Sequence, residues 1–189
     1  MHRTLSLCVL HSRRALSVQR LVRKRGVSCR SIMEDTLIVL TVPGELAYRE
    51  LATRCVTTAC KLVRVTRGNQ RVPLEEEFTF QVVSAIGEAF NNVALHGYAD
   101  GARGTITFEI STNDDCLVID VVDFGQSFDP SDAPEPDLGA LPESGMGLFI
   151  VRAFADELSY TKGSPNCLRM VKRFESWGHR AGKGMTEPR

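Results

Sequence analysis

Glu88 to Tyr98 reads EAFNNVALHGY, and the reading of this stretch decides the fold. Laid on a helix of 3.6 residues per turn, it and the residues just before it sort into two faces. Val82, Val83, Ile86, Ala89, Phe90 and Val93 gather on one side and are expected to face a core. Gln81, Ser84, Glu88 and Asn92 gather on the other. Glu88 and Asn92 are four residues apart, so their side chains project from one face as neighbours. A carboxylate and an amide held together in this way can serve as a base beside a metal-binding oxygen. A solvated polar face has the same pattern, and this stretch alone does not separate the two.

The chain downstream changes the balance. A strand is expected to run into Asp123-Phe124-Gly125, a Pro-rich loop follows, and Gly145-Met146-Gly147 opens a second amphipathic helix. An ionised carboxylate such as Asp123 only accepts hydrogen bonds, so it can receive an exocyclic amino group. An Asp ending a strand in a turn is the plain structural alternative. Gly125 has no side chain to keep a backbone from approaching a ligand. Gly145 and Gly147 would let N–H groups at a helix N-terminus face an anion, which the helix dipole favours.

Glu88, Asn92, His96 and Gly97, then Asp123 and Gly125, then Gly145 and Gly147, resemble in order and spacing the three motifs of the GHKL-superfamily ATP-binding domain. The chain is most similar to the small anti-sigma factor serine kinases of the RsbW type, over roughly residues 34 to 174. The resemblance implies that ATP and Mg2+ are bound. Glu88 would be the general base, and Asn92 would offer its amide oxygen to Mg2+ beside the nucleotide. Asp123 and Gly125 would hold adenine, while Gly145, Met146 and Gly147 would face the phosphates. His96 is read as structural, capping or packing. Ser127 to Ser144, with Pro130, Pro134, Pro136 and Pro142, would be the lid over those phosphates.

Two departures stand out. The second Gly that often follows two residues after Gly125 is Ser127 here, which RsbW-type sequences also show. More consequentially, no Lys or Arg occurs from Gly104 to Val151, and Glu143 stands where several relatives carry an arginine. Charge developing on a transferring phosphoryl group is normally offset by cations. Mg2+, backbone amides, Arg103 or Arg152 would have to supply that potential.

At 189 residues and 43% hydrophobic content the chain suffices for one well-buried core. No apolar run approaches the length of a membrane span. The formal net charge of zero hides an asymmetry, because residues 1–32 carry eight Lys/Arg and no acid. From Glu34 onward fifteen basic residues face twenty-three acidic ones, and so acidic a body argues against nucleic acid as partner. The six cysteines form no C-x-x-C pair, and Cys55, Cys116 and Cys167 fall in apolar-patterned segments. That usage fits a reducing cytoplasm.

Residues 1–32 read as a basic leader outside the fold, best explained by translation starting at Met33, with an organellar transit peptide or a nucleic-acid-binding arm as the alternatives. Thr36 to Val42 reads as an edge strand ending at Pro43-Gly44, and Glu45 to Val65 as a helix carrying Leu46, Leu51, Val56, Ala59, Leu62 and Val63. Arg67 to Pro73 reads as a polar connection. The central helix then starts near Leu74 with Glu75, Glu76 and Glu77 in its first turn and ends at Gly97 in a left-handed cap. Gly104 to Thr112 and Cys116 to Val122 form a hairpin. The Gly145 helix runs to about Glu157, Leu158 to Thr161 pairs with Cys167 to Phe174, and residues 175–189 read as a disordered tail. Five strands and three helices make an α+β two-layer sandwich over residues 33–174. The GHKL (Bergerat) resemblance implies a mixed, mainly antiparallel sheet with helices on one face.

The function this implies is a cytoplasmic ATP-dependent serine/threonine-protein kinase and anti-sigma factor, and the same resemblance implies a homodimer. It would phosphorylate a serine of a STAS-domain antagonist and sequester an RNA polymerase sigma factor. A nucleotide-binding clamp with little turnover is the second reading, which the absent lid cation favours. The catalytic half of a histidine kinase is the third, and His2 and His11 sit in no helical dimerisation pattern.

Overall fold

Period-two patterning builds the sheet. β1 (Asp35–Pro43) pairs with β4 (Thr105–Thr112), which forms a hairpin with β5 (Cys116–Asp123). At the turn, Asn113 Oδ1 accepts the backbone N–H groups of Asp115 (2.8 Å) and Cys116 (2.9 Å), so an Asn side chain stands in for a backbone turn. β6 (Glu157–Thr161) and β7 (Asn166–Arg173) complete the order β1-β4-β5-β7-β6, with every pairing antiparallel. The computed structural model describes residues 35–67, 69–98, 104–127 and 146–174. The leader 1–32, the tail from 175, most of the Pro-rich loop, Gly145 and Arg103 lie outside these.

Because side chains alternate along strands, the register sorts each row to one face. Leu40, Phe108, Val121, Leu168 and Tyr160 form one row and face the helices; Val39, Glu109, Asp120, Arg169 and Ser159 form the next and point away. Asp120 holds Arg169 through two 2.8 Å hydrogen bonds in that second row.

Three helices lie against the apolar rows. α1 (Arg49–Leu62) follows a short 3-10 turn at Leu46–Tyr48. α2 (Glu76–Asn92) continues into a π-helical turn at Val93–Gly97. α3 (Met146–Phe154) packs beside α2. Glu76 and Glu77 occupy the first turn of α2, where the helix dipole favours acids. Phe78, Val82, Ala85, Ile86, Ala89 and Phe90 are buried, and Phe90 stacks on Phe108 of β4 with ring centroids 6.2 Å apart. The C-terminal end of α3 is fixed by Lys172 of β7, whose Nζ donates to the Phe154 carbonyl at 2.7 Å.

Several expectations need correction. α1 stops at Leu62, and Arg64–Arg67 and Gln70–Pro73 form a two-stranded hairpin, β2 and β3, where a helix end and a polar connection were expected. Val65 and Val72 sit opposite one another, and β-branched residues alternating with polar ones suit that pairing. The buried face of α1 is Ala52, Val56, Ala59 and Cys60, whereas Leu46, Leu51 and Leu62 are exposed. Small residues win that face because they let the helix sit close to α2. Cys60, not Cys55, joins Cys116 and Cys167 as a buried thiol, and burial pushes Cys60 and Cys167 up to about 12. α3 ends at Phe154, and Glu157 opens β6. Gly97 does not take the left-handed backbone of a cap. Among the described residues no helix is long and apolar enough to cross a membrane.

Candidate active site

Glu88 and Asn92 sit one turn apart near the end of α2, half-buried on the face expected to be polar. What half-buries them is α3. A Cβ built on Gly147 would come within 2.8 Å of Glu88 Oε2 and 3.7 Å of Asn92 Oδ1. The first turn of α3 is therefore packed onto the carboxylate and the amide, and a glycine is what permits it. Met146 opens the same helix. Gly145, the remaining residue expected here, lies outside the described residues.

Two side chains that the sequence reading did not single out also reach Glu88. Arg49, the first residue of α1, places a guanidinium nitrogen 3.8 Å from Glu88 Oε1, and its Nε donates to the Gly87 carbonyl at 3.4 Å. Asn91 Nδ2 lies 3.4 Å from Oε2 and 3.5 Å from Oε1. The carboxylate is thus steered by a cation on one helix, an amide on its own helix and a glycine on a third. Arg49 thus places a positive charge beside Glu88. A 39-residue separation from Glu88, and an exposed-looking helix start, hid it in the sequence.

Asp123 ends β5 on the helix side of the sheet and is buried. Its Oδ1 accepts from Gly125 N (2.7 Å) and from Asn166 Nδ2 (3.0 Å). Asn166 was not anticipated either. Nothing in a Ser-Pro-Asn turn announces a buried amide; only the pairing of Asp123 with Asn166 across β5 and β7 brings the two together.

Gly125 also has a reason within the fold itself. A Cβ there would land on the carbonyl oxygen of Gly97, and Gln126 N donates to that oxygen at 2.5 Å. The glycine lets the second motif's backbone lie on the turn that ends the first. Tyr98 adds a second tie between the same pieces: its hydroxyl donates to Thr105 O at 2.9 Å and accepts from Phe124 N at 3.3 Å. Burial first, and the Asp123 charge with it, push the Tyr98 hydroxyl up, against the hydrogen bonds it makes. Ser127, the departure from a second glycine, donates to Asn166 Oδ1 at 2.6 Å. His96 is exposed.

The donor set suits the groups the motifs imply. Glu88 and Asn92 offer hard oxygens, the kind Mg2+ takes alongside waters and substrate phosphates. Gly147 marks a helix start with no side chain in the way, and Asp123 offers a buried acceptor.

Residues 57–172 match the histidine kinase-like ATPase domain family, and the chain belongs to it. It is 31% identical over 111 residues to a serine-protein kinase RsbW of Bacillus velezensis, covering 54% of this chain and 68% of that protein. It is 30% identical over 102 residues to an anti-sigma F factor of Clostridium beijerinckii, covering 49% of this chain and 69% of that one. Among solved structures, a histidine kinase domain from the Erythrobacter litoralis EL346 blue-light activated histidine kinase aligns with a TM-score of 0.49 at 19% identity, covering 91% of this chain and 78% of that one.

Proposed function

We propose that this chain is an ATP-dependent serine-protein kinase that acts as an anti-sigma factor in the cytoplasm and phosphorylates a serine on a STAS-domain antagonist. The observation that carries this reading is the packing of Gly147 onto Glu88 and Asn92. It brings a carboxylate, an amide oxygen and a helix N-terminus into one place. Kinship with RsbW serine-protein kinases and anti-sigma F factors supports the choice of substrate class and of a sigma factor as second partner. A homodimer is proposed on the same kinship.

Asp123 and Gly125 would hold the adenine end, and Met146 and Gly147, with Gly145 before them, the phosphate end. Mg2+ held by Asn92 would offset charge on the transferring phosphoryl group. Glu88 accepts the proton of the attacking serine hydroxyl as its oxygen bonds to the γ-phosphorus. The bond from that phosphorus to the β–γ bridging oxygen breaks, and ADP leaves with the electron pair. Arg49 and Asn91 hold the Glu88 carboxylate in place for this, and Arg49 adds the positive potential absent from the lid sequence.

The test is transfer of radiolabelled γ-phosphate from ATP, with Mg2+, to purified STAS-domain proteins encoded near the gene. Labelling of one of them on serine is the expected result. Tight ATP binding, with a STAS protein bound but unlabelled, would replace the kinase by a nucleotide-dependent clamp.

A further inference from the structure

Asn166 is a fully buried primary amide, the one uncharged polar side chain in the β5–β7 pair that sees no solvent at all. Such a group is costly to bury unless its two donors and its acceptor oxygen are matched. Here all are. Nδ2 donates to Asp123 Oδ1 and to Gly125 O, each at 3.0 Å. Oδ1 accepts from Gly163 N at 3.1 Å and from Ser127 Oγ at 2.6 Å. The amide cannot be turned round. A flipped side chain would face its oxygen to a carboxylate and a carbonyl, and its NH2 to a backbone N–H.

We propose that Asn166 is a positioning residue that sets the base selectivity of Asp123, making the site accept a purine 6-amino group and reject a 6-oxo group. The proposal rests on the reading of this chain as an ATP-binding protein. Its ground is how the Asp123 carboxylate is divided. Both of its hydrogen bonds, from Gly125 N and Asn166 Nδ2, fall on Oδ1. Among the described residues none bonds Oδ2, which is left for a ligand. Both neighbours on Oδ1 are N–H donors, and neither is an acid that could lend the carboxylate a proton. Oδ2 therefore presents an acceptor, which matches an exocyclic amino group and opposes a carbonyl oxygen.

The substitution Asn166→Asp reverses this. It sets two carboxylates at hydrogen-bond distance, where both cannot stay ionised, so the pair takes up a proton. That proton gives the site an O–H donor able to meet a 6-oxo group. Asn166→Ala removes one of two donors to a charged acceptor and is expected to weaken ATP binding about tenfold. Asn166→Ser keeps one hydroxyl donor for Asp123 and is expected to retain the base preference.

The experiment measures Kd for ATP and ITP, which differ at the 6-position, by calorimetry on the full chain and each variant at pH 5.5 and pH 8. The wild type is expected to prefer ATP. Asn166→Asp is expected to narrow that preference by about tenfold, and more at pH 5.5 than at pH 8, while Asn166→Ser keeps it. A preference that is the same in wild type and Asn166→Asp, beside a lowered melting temperature, would overturn the proposal and leave Asn166 a purely structural tie. Should Asn166→Asp not fold, Asn166→Ala against Asn166→Ser decides: equal ATP affinities in the two would overturn it. A wild type that binds neither nucleotide is a separate result, and removes the ATP reading itself.

Discussion

Two glycines at the site look alike in sequence and predict opposite phenotypes. At Gly147 an added methyl meets Glu88 Oε2, the mobile end of a side chain. Gly147→Ala is expected to leave the melting temperature nearly unchanged and to cut phosphotransfer by about a hundredfold, because the base is displaced from its working position. At Gly125 the added methyl meets the Gly97 backbone, which cannot swing aside. Gly125→Ala is expected to lose nucleotide binding and to destabilise the fold by roughly 1–3 kcal/mol. Thermal melting and ATP calorimetry on both variants separate the two cases. Arg49 yields a third expectation at this scale. Arg49→Ala should slow transfer roughly tenfold through a loosened Glu88, with ATP affinity little changed; equal rates in variant and wild type would show that the 3.8 Å pair does not steer the base. Of the candidate site residues, Glu88, Asn92, Asp123, Gly125 and Gly147 could be singled out in the sequence because their spacing is local to a helix turn or a strand end. Arg49 and Asn166 could not, because a helix–helix packing and a strand register bring them in from 39 and 43 residues away.

At the scale of elements, α2 carries a glycine in mid-helix, which costs roughly 1 kcal/mol against alanine. The structure shows why it is tolerated: a Cβ on Gly87 would come within 2.6 Å of the Arg49 guanidinium. Gly87→Ala should therefore raise helix stability and, by pushing Arg49 aside, slow phosphotransfer in the same protein. A melting curve and a transfer assay on that one variant test the pairing of gain and loss. α3 depends on a different tie. Lys172 is buried, donates to the Phe154 carbonyl and lies 5.6 Å from the centre of the Phe78 ring. Lys172→Ala should cost roughly 1.5–3 kcal/mol, as for a hydrogen bond to a charged group, measured by urea unfolding. The long helix α2 and the β4–β5 hairpin were readable from periodicity. The β2–β3 hairpin was not, since four-residue strands carry too few alternations to stand out from a polar loop. The buried face of α1 was misread because leucines weigh more than alanines in any hydrophobic pattern. Close packing kept Val56 and Ala59 of the expected residues and set Ala52 and Cys60 beside them in place of the leucines.

Across the whole molecule, the row of Glu109, Asp120 and Arg169 on the face away from the helices makes stability depend on pH. Burial first, then the like charge of Asp120, raise Glu109 above its usual 4.5, with Arg169 acting the other way. A carboxyl whose folded value is raised contributes stability that is full below about 4.5 and is lost as pH rises through the folded value. Glu109→Gln should therefore raise the melting temperature at pH 7 and leave it unchanged near pH 4. An equal effect at both pH values would mean that the charge is not the cause. The same sheet holds Asp123 in register with Asn166, while α1 and α3 bring Arg49 and Gly147 onto Glu88. The fold thus brings three separated motifs together, and Glu88 is proposed as the base of the site they would form. The measurement that tests this most directly is single-turnover phosphate transfer to a bound STAS-domain protein at saturating ATP, wild type against Glu88→Gln. With Glu88 as the base, transfer is expected to slow about 10²–10⁴-fold with ATP affinity preserved. Transfer at an undiminished rate in Glu88→Gln would contradict it.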